Sequence, residues 1–190
     1  MTIKPTAFPE VLLIEPKKFE DGRGWFMESF RKDILEKAVG RALNFCQDNN
    51  AQSSYGVIRG LHYQIPPHAQ SKLVSVLQGK VLDVVVDIRK GSPQFGKYLS
   101  VELSSENQKQ LFIPRGFAHG YACLSETALL AYKVDHYYDK ASEASISFND
   151  PKLAIDWQIP QEFQKLSPRD LEHPILKAAK FFDYNQPLYD

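Results

Sequence analysis

The decapeptide Lys80-Val-Leu-Asp-Val-Val-Val-Asp-Ile-Arg89 decides the fold class. Its even-numbered positions from Leu82 to Ile88 are all aliphatic, whereas its odd-numbered positions place Asp83 and Asp87 among valines. Successive side chains of a β-strand point to opposite faces of the sheet. The segment is therefore predicted to be a strand with one core face and one mixed face that lines a cavity or a partner surface.

The rest of the chain consists largely of short apolar runs separated by proline and glycine. β-Branched and aromatic residues favour strands at 11–15, 25–30, 72–78, 98–103, 111–113, 119–124, 129–138 and 144–148. Helical spacing of apolar residues occurs at 31–39 and 174–182. Many short strands predict a mainly β sandwich or barrel with a few peripheral helices, formed by residues 1–190 as a single domain.

The composition excludes several classes of function. Lysine plus arginine number 23 and aspartate plus glutamate number 23, so no overall field attracts nucleic acid or an anionic membrane. No apolar run approaches the roughly 18 residues that span a bilayer, and no apolar signal core follows Met1. Cys46 and Cys123 suggest neither a metal knot nor a redox pair. We expect a soluble, cytoplasmic protein without a nucleic-acid or membrane partner.

Hydrogen-bonding residues are concentrated in the segment Arg59-Gly-Leu-His-Tyr-Gln64, which lies between apolar strands. His62 has two interpretations. It is either a core histidine whose ring is satisfied by a neighbour, or a general base, because imidazole accepts protons near neutral pH.

A second segment contains Pro114-x-Gly116-x-x-His119, which resembles the second motif of the cupin superfamily. Metal-binding cupins add a His-x-His pair and a glutamate from their first motif. The matching stretch here is His62-Tyr-Gln64, followed by Lys72 where an acidic ligand would be needed. An ammonium group repels a cation, so we predict no metal in this barrel and expect an anionic or carbonyl-bearing substrate.

Eight segments in order resemble the dTDP-4-dehydrorhamnose 3,5-epimerase family over roughly positions 3 to 185. They are Phe19-x-Asp21-x-Arg23-Gly-x-Phe26-x-Glu28, Gln47-Asp-Asn49, Arg59-Gly-Leu-His-Tyr-Gln64, Lys72-x-Val74, Gly79, Pro114-x-Gly-Phe-Ala-His119-Gly, Tyr132-Lys-x-x-x-Tyr-Tyr138 and Leu166-Ser-x-x-Asp170. The resemblance implies a double-stranded β-helix, the cupin jelly roll, that works as a homodimer without metal or cofactor. It also implies conversion of dTDP-4-dehydro-6-deoxy-α-D-glucose to dTDP-4-dehydro-β-L-rhamnose, within dTDP-L-rhamnose biosynthesis for cell-surface polysaccharide.

The resemblance assigns four catalytic residues. His62 is the base, Asp170 orients its ring, Tyr132 is the general acid, and Lys72 meets the enolate oxygen. Without the family, Asp170 could be a helix cap, Tyr132 a core residue and Lys72 a surface lysine.

The resemblance also assigns the residues that bind the substrate. Arg23, Arg59 and Arg169 meet the diphosphate, although the family more often has lysine at the position of Arg169. Tyr138 stacks on thymine. The remaining nucleotide and sugar contacts are Phe26, Glu28, Gln47, Asn49, His119 and Glu143. In the dimer, Arg23, Phe26 and Glu28 of the amino-terminal region are expected to complete the site of the partner subunit.

One conflict remains within this assignment. Strict alternation along a strand places Arg59 and His62 on opposite faces, whereas both are expected in one cleft. We predict that Gly60 permits a bulge or a twist that brings them together.

Three other functions stay open on the residues alone. The first is an epimerase that inverts only carbon 3 or carbon 5 of another dTDP-4-keto-6-deoxysugar. The second is a cupin that binds nucleotide sugars without turnover, and the third is a metal-dependent cupin oxygenase. The presence of a base, its carboxylate partner and an acid together favours catalysis over binding alone.

Overall fold

The computed structural model describes residues 1–189. It contains fifteen strands, two α-helices and two 3₁₀-helices within those residues. The strands are β1 (Thr2–Pro5), β2 (Leu12–Glu15), β3 (Lys18–Asp21), β4 (Gly24–Met27), β5 (Gln47–Ser54), β6 (Ile58–Gln64), β7 (Lys72–Gln78), β8 (Lys80–Asp87), β9 (Arg89–Lys90), β10 (Tyr98–Ser104), β11 (Gln110–Ile113), β12 (Phe117–Cys123), β13 (Thr127–Val134), β14 (Glu143–Ser145) and β15 (Phe182–Asp183). The helices are α1 (Lys32–Val39) and α2 (Pro168–Leu171), with 3₁₀ turns at Gln161–Phe163 and Leu176–Ala178.

Two antiparallel sheets face each other and form the body of the molecule. The six-stranded sheet has the order β1-β2-β11-β7-β13-β5, and the five-stranded sheet has the order β10-β8-β12-β6-β14. Strands distant in sequence are neighbours in both sheets, as expected for the predicted jelly roll. The prediction of a mainly β fold with few peripheral helices is confirmed.

The predicted alternation in Lys80–Asp87 is confirmed, and both faces of β8 are buried. Val81 and Val85 belong to the cluster between the two sheets, together with inward residues of β7, β12 and β13. Leu82, Val84 and Val86 belong to a second cluster on the outer side of the five-stranded sheet. Asp83 lies on the inward, mixed face and is fully buried. The carboxyl-terminal third of the chain covers the outer face, which is why β8 is buried on both sides.

Helix α1 covers part of the other sheet. Leu35, its buried residue, packs with Leu43 against the outer face formed by Leu12, Leu73 and Phe112. The helix ends where the sequence predicted, at Gly40, whose positive φ suits the residue after a helix. Among residues 1–189, no helix is both long enough and apolar enough to cross a membrane.

Two local predictions were incomplete or wrong. The segment 174–182 is not a helix, because it forms a 3₁₀ turn at Leu176–Ala178 and then the short strand β15. Leu176 and Phe182 are buried in the outer cluster, and the Phe182 N–H donates to the carbonyl of Ile88. Docking on the sheet therefore overrides the helical spacing. Strand β5 was not predicted as a strand, since Gln47–Ser54 is almost entirely polar.

A bulge in β6 resolves the conflict between Arg59 and His62. His119 of β12 is opposite His62, and Tyr121 of β12 is opposite Arg59, so three steps along β6 match two steps along β12. The extra residue places Arg59 and His62 on the same face, as predicted. Gly60 has φ of 132°, and a Cβ there would lie 2.5 Å from the Cα of Gly120. Only glycine fits this close approach of the two strands.

Candidate active site

A cavity of about 440 Å³ opens between the two sheets. Nine of the residues predicted from the sequence line it. The five-stranded sheet contributes Arg59, His62, His119 and Glu143, and the six-stranded sheet and the segment after it contribute Gln47, Asn49, Lys72, Tyr132 and Tyr138. Polar side chains from opposite walls thus converge on one space.

His62 and Asp170 form a hydrogen-bonded pair at the cavity. Asp170 is on α2, whose N-cap Ser167 accepts from the Asp170 N–H and donates through Oγ to Asp170 Oδ2. The other oxygen, Oδ1, lies 2.9 Å from His62 Nε2. Burial acts to raise the pKa of Asp170, but the hydrogen bonds from His62 and Ser167 outweigh it and lower the pKa to about 2. A carboxylate only accepts, so Nε2 carries the proton and Nδ1 of a neutral His62 is left with a lone pair.

The structure makes Ser167, and not Asp170, the cap of this segment, and the functional interpretation of Asp170 stays a prediction. Ser167 is the cap of the helix, whereas Asp170 is directed by that cap towards His62. The side chain of His62 is 35% exposed, but that of Asp170 is only 7% exposed. The ring can meet a substrate while its carboxylate stays buried.

A second histidine–carboxylate pair lies beside the first. His119 Nε2 is 2.9 Å from Oδ2 of Asp83, and both side chains are buried. Burial lowers the pKa of His119, more than the neighbouring Asp83 raises it. The sequence analysis did not assign Asp83 to the site, although its place on the mixed face of β8 was the available signal. Its other oxygen, Oδ1, is buried without a hydrogen-bond partner among the described residues.

Lys72 begins β7 on the opposite wall. Its ammonium group donates to the backbone carbonyl of His62 at 3.4 Å. Burial lowers the pKa of Lys72 to about 8, although the charges of Asp83 and Glu143 act to raise it. At neutral pH the group is mostly protonated and its charge is desolvated. The alternative of a surface lysine is thus wrong, and a cationic donor faces the cavity.

Tyr132 projects from β13 between the sheets, where it packs against the inner apolar cluster. Burial raises the pKa of its phenol, so the group is protonated at neutral pH. Arg59 lies close by and donates through Nε to Ser53 Oγ at 3.1 Å. The oxygen of Ser53 is also 3.0 Å from the hydroxyl of Tyr121. Among residues 1–189, no carboxylate pairs with Arg59, which leaves its charge available to a ligand.

Tyr138, Glu143 and Arg169 form a polar cluster at the mouth of the cavity. The Tyr138 hydroxyl donates to Glu143 Oε2 at 2.8 Å, and Arg169 forms an ion pair with the same oxygen. Burial acts to raise the pKa of Glu143, but these two hydrogen bonds outweigh it and the pKa lies below its usual value. Gln47 Oε1 accepts from the Tyr138 N–H, which ties the segment after β13 to β5.

Three predicted binding residues lie outside the cavity. Arg23 and Phe26 are on the hairpin of β3 and β4, and the strands of this hairpin pair only with each other among the described residues. Arg23 forms an ion pair with Asp21, and Glu28 forms one with Arg31. The structure of one chain therefore does not bring Arg23, Phe26 and Glu28 to the other predicted residues.

His173 was not singled out from the sequence, yet it lies against His62. The two rings meet edge to face with centroids 5.1 Å apart. His173 Nδ1 lies 3.8 Å from Asp170 Oδ1, and the side chain is 6% exposed. Donor atoms of His62, Asp170 and His173 all lie within 4.8 Å of one another, a separation suited to a metal ion. Its position three residues after Asp170 was the only signal in the sequence.

Comparison with known proteins identifies the family of the chain. The family model for dTDP-4-dehydrorhamnose 3,5-epimerase matches residues 5–178. The chain belongs to this epimerase family. It is therefore an isomerase, and its fold is the cupin-like β-sandwich expected from the resemblance.

Individual relatives of this epimerase are similar over nearly their whole length. A dTDP-4-dehydrorhamnose 3,5-epimerase of Shigella flexneri is 48% identical over 182 residues, which are 96% of this chain and 99% of the relative. The crystal structure of a dTDP-6-deoxy-D-glucose-3,5-epimerase from Legionella pneumophila, in complex with dTDP-4-keto-L-rhamnose, has a TM-score of 0.92 and 46% identity. The match covers 97% of this chain and 99% of the Legionella pneumophila chain. A dTDP-4-dehydrorhamnose 3-epimerase of Streptomyces niveus is 36% identical over 95% of this chain and 86% of the relative.

Proposed function

We propose that this epimerase converts dTDP-4-dehydro-6-deoxy-α-D-glucose to dTDP-4-dehydro-β-L-rhamnose in dTDP-L-rhamnose biosynthesis. One observation carries the proposal. A histidine with a carboxylate partner and a neutral phenol enter one cavity from opposite sheets, and a desolvated ammonium lines the same cavity from β7, the strand next to that of the phenol. That arrangement suits inversion at a carbon next to a ketone.

The chemistry follows from the acidity of such carbons. A proton beside the 4-keto group leaves easily because the resulting negative charge spreads onto the carbonyl oxygen. Inversion requires a base on one face of the sugar ring, an acid on the other, and a donor for the enolate oxygen. No redox step is involved, and the proton balance is zero for each inverted carbon.

His62 is the base in this proposal. Its Nε2–H donates to Asp170, so the lone pair of Nδ1 accepts the proton from the sugar. Asp170 then stabilises the imidazolium that forms, since its own pKa of about 2 keeps it ionised. Tyr132 returns a proton from the other wall, and its raised pKa makes the phenol the stable form before transfer.

Lys72 stabilises the enolate oxygen. A buried ammonium interacts more strongly with a developing negative charge than a solvated one does, because the local dielectric constant is low. His119 has a different role, because it is a neutral hydrogen-bond acceptor and not a cationic donor. Its lowered pKa keeps it neutral, and its Nε2–H is committed to Asp83, so Nδ1 offers an acceptor for a hydroxyl of the sugar.

The nucleotide lies at the mouth of the cavity in this proposal. Tyr138 is 52% exposed and presents an aromatic ring for the thymine. Arg59 and Arg169 bind the diphosphate, since the planar guanidinium fits phosphate oxygens. Gln47, Asn49 and Glu143 supply further polar contacts.

A homodimer completes the site in this proposal. The hairpin of β3 and β4 carries Phe19, Trp25 and Phe26, all of which are more than half exposed. Such an aromatic patch on a hairpin without further strand partners favours a second copy of the chain as its cover. Arg23, Phe26 and Glu28 would then contact the substrate of the partner subunit. The exposed free thiol of Cys46 suits a reducing compartment, and we place the enzyme in the cytoplasm.

The test is solvent exchange. Chelator-treated protein is incubated with dTDP-4-dehydro-6-deoxy-glucose in deuterated water, and carbons 3 and 5 are followed by proton NMR. We expect deuterium at both carbons, loss of exchange in His62→Asn, and rhamnose formation after addition of a ketone reductase. Exchange at carbon 3 alone would instead indicate the activity for which the Streptomyces niveus relative is named, a 3-epimerase, and exchange at carbon 5 alone would indicate a 5-epimerase. Tight binding of the nucleotide sugar without any exchange would overturn catalysis altogether.

A further inference from the structure

His173 packs against His62, and the proposed reaction has no use for it. Its Nδ1 atom is buried and has no hydrogen-bond partner among residues 1–189. The atom nevertheless lies within 3.8 Å of Asp170 Oδ1, the oxygen that also accepts from His62. A buried nitrogen without a partner costs free energy, so its environment is incomplete without a further group.

The surrounding donor atoms suit a divalent metal ion. Zn²⁺ binds nitrogen and oxygen ligands at about 2.0–2.2 Å in tetrahedral geometry, which places the ligand atoms roughly 3.3 Å apart. The separations here are 2.9 Å from Asp170 Oδ1 to His62 Nε2 and 3.8 Å to His173 Nδ1. Shifts of about 1 Å would bring all three atoms to one ion. We propose that His62, Asp170 and His173 bind a divalent transition-metal cation, Zn²⁺ in the first place, and that this ion inhibits the epimerase.

The charges around the three side chains favour a cation. Asp170 is ionised, and Glu143 lies close enough to both imidazoles to interact with them. The positive charges of Arg169 and Lys72 oppose binding, but Arg169 is paired with Glu143, and the negative charges of Asp83 and Glu143 act on Lys72. Nδ1 of His173 has no hydrogen-bond partner among residues 1–189, so this atom is not committed to another contact and can serve as a ligand. Two imidazole nitrogens and one carboxylate are a donor set that zinc accepts, with water as the fourth ligand.

Inhibition follows from the tautomers of His62, and this step rests on the proposed function. In the resting pair the proton is on Nε2 and the lone pair is on Nδ1. A metal on Nε2 requires the opposite tautomer, with the single ring proton on Nδ1. No proton is released when the ring changes from one tautomer to the other. The nitrogen that faces the substrate can then no longer accept a proton, so the base is lost while the fold is kept.

Metal binding is tested first, without substrate. The full chain is stripped with chelator and titrated with Co²⁺, whose visible absorption reports tetrahedral coordination, and then with Zn²⁺ in competition. The matched variants are His173→Gln, which removes the third ligand, and His68→Gln. The second variant removes the only other close imidazole pair among the described residues, in which His68 Nδ1 is 3.3 Å from His136 Nδ1.

We expect His173→Gln to weaken Co²⁺ and Zn²⁺ binding by at least about tenfold. His68→Gln is expected to retain the tetrahedral Co²⁺ spectrum, and His173→Cys to restore zinc binding, since a thiolate is a good zinc ligand. Thermal melts of each variant exclude misfolding as the cause. Unchanged affinity in His173→Gln, or loss of the spectrum in His68→Gln, would overturn the site.

Inhibition is tested second, by the exchange assay at buffered free Zn²⁺. The inhibition constant should equal the dissociation constant and rise by the same factor in His173→Gln, each variant being compared with its own rate without metal. Mg²⁺, which also binds diphosphate, is the control for an effect on the substrate and should not inhibit. Bound metal without inhibition, or equal inhibition of both proteins, contradicts the proposal. If no exchange occurs even without metal but Co²⁺ binds as expected, the proposed reaction is wrong and the metal site stands.

Discussion

The two histidine–aspartate pairs of this cavity have the same hydrogen bond and different surroundings. His62 and His119 are directly opposite each other on neighbouring strands, and each Nε2 lies 2.9 Å from an aspartate oxygen. Asp170 comes from the short helix α2 and is held by its own N-cap, whereas Asp83 comes from the middle of a buried strand. His62 is partly exposed and His119 is buried. Equal geometry therefore need not mean equal function: under the proposed function, the exposed ring exchanges protons with the substrate and the buried ring stays neutral.

The largest expected difference between the pairs is in turnover. Loss of a general base costs about 10²–10⁴-fold in rate, and we expect His62→Asn to lower kcat by 10³-fold or more because the base acts in every inversion. His119→Asn should lower kcat by only about 10- to 100-fold, as for the loss of one polar contact to the reacting sugar. Rates of deuterium incorporation at carbons 3 and 5 measure both. Equal losses in the two variants would show that the pairs are not functionally distinct.

Substitution of Asp170 should likewise lower kcat more than substitution of Asp83 does. An amide at position 170 can donate to His62 Nε2, which stabilises the wrong tautomer, so Asp170→Asn should lower kcat by about 10²-fold or more. Asp83→Asn keeps an oxygen that can accept from His119 and should affect kcat by less than Asp170→Asn does. Substrate KM is the companion measurement, since a change confined to KM would place either residue in binding alone.

Acid stability tests the pair of His62 and Asp170 directly. The pKa of Asp170 falls from 3.8 in the unfolded chain to about 2 in the folded one, which corresponds to roughly 2 kcal/mol of stabilisation. This contribution is fully present above pH 4 and is lost as the pH falls through 2, because the depressed pKa belongs to the folded state. Urea unfolding of the native chain and Asp170→Asn should differ by about 2 kcal/mol at pH 6 and converge near pH 2. A constant difference across this range would contradict the explanation by hydrogen bonds to the ionised carboxylate.

At alkaline pH, kcat/KM should depend on the buried pair of His119 and Asp83, because Asp83 acts on Lys72. Lys72 has a pKa of about 8 and must be protonated to stabilise the enolate, so kcat/KM should fall above pH 8. The negative charge of Asp83 raises the pKa of Lys72, whereas Asp170 is not among the charges that act on it. Asp83→Asn should therefore move the alkaline limb to lower pH, and Asp170→Asn should leave it in place. Lys72→Arg, which keeps its charge, should remove this limb; its persistence would assign it to another group.

The two histidine–aspartate pairs could be predicted from the sequence only in part. His62, Asp170 and Tyr132 came from a family resemblance, and His119 came from the spacing of a cupin motif. The pairing of His119 with Asp83 could not be predicted, because it depends on the register between β8 and β12, which lie 30 residues apart in the chain. The alternation in β8 did place Asp83 on the inward face, yet alternation alone does not identify the opposing side chain.

The fold was predictable where side-chain pattern and burial agree. Strands such as β7 and β8 have β-branched runs, and their bounds were predicted closely. Strand β5 was missed because its polar residues carry no apolar alternation, and its pairing with β13 depends on the sheet rather than on its own sequence. The hairpin that carries Arg23 and Phe26 shows a further limit. These residues have no place in the cavity of their own chain, and the role proposed for them requires a second copy.

The smallest expected effect concerns the feature that only one of the two pairs possesses. Ser167 donates to Asp170 Oδ2 at 2.6 Å and accepts from the Asp170 N–H as the N-cap of α2, whereas Asp83 Oδ1 has no such partner among the described residues. Ser167→Ala should cost about 1 kcal/mol of unfolding free energy through loss of the cap. It should also raise the pKa of Asp170, because one of the hydrogen bonds that lower it is removed.

The pH-dependent part of the stability should therefore be smaller in Ser167→Ala than in the native chain and should be fully lost at a higher pH, and kcat should fall by only a few-fold, because the bond from His62 to Oδ1 remains. Ser167→Thr, which keeps the hydroxyl, is the matched control and should restore both properties. A loss of kcat in Ser167→Ala as large as that in Asp170→Asn would mean that the cap, and not the carboxylate itself, fixes the ring of His62. The difference between the pairs would then lie in how α2 is held rather than in the exposure of the histidine.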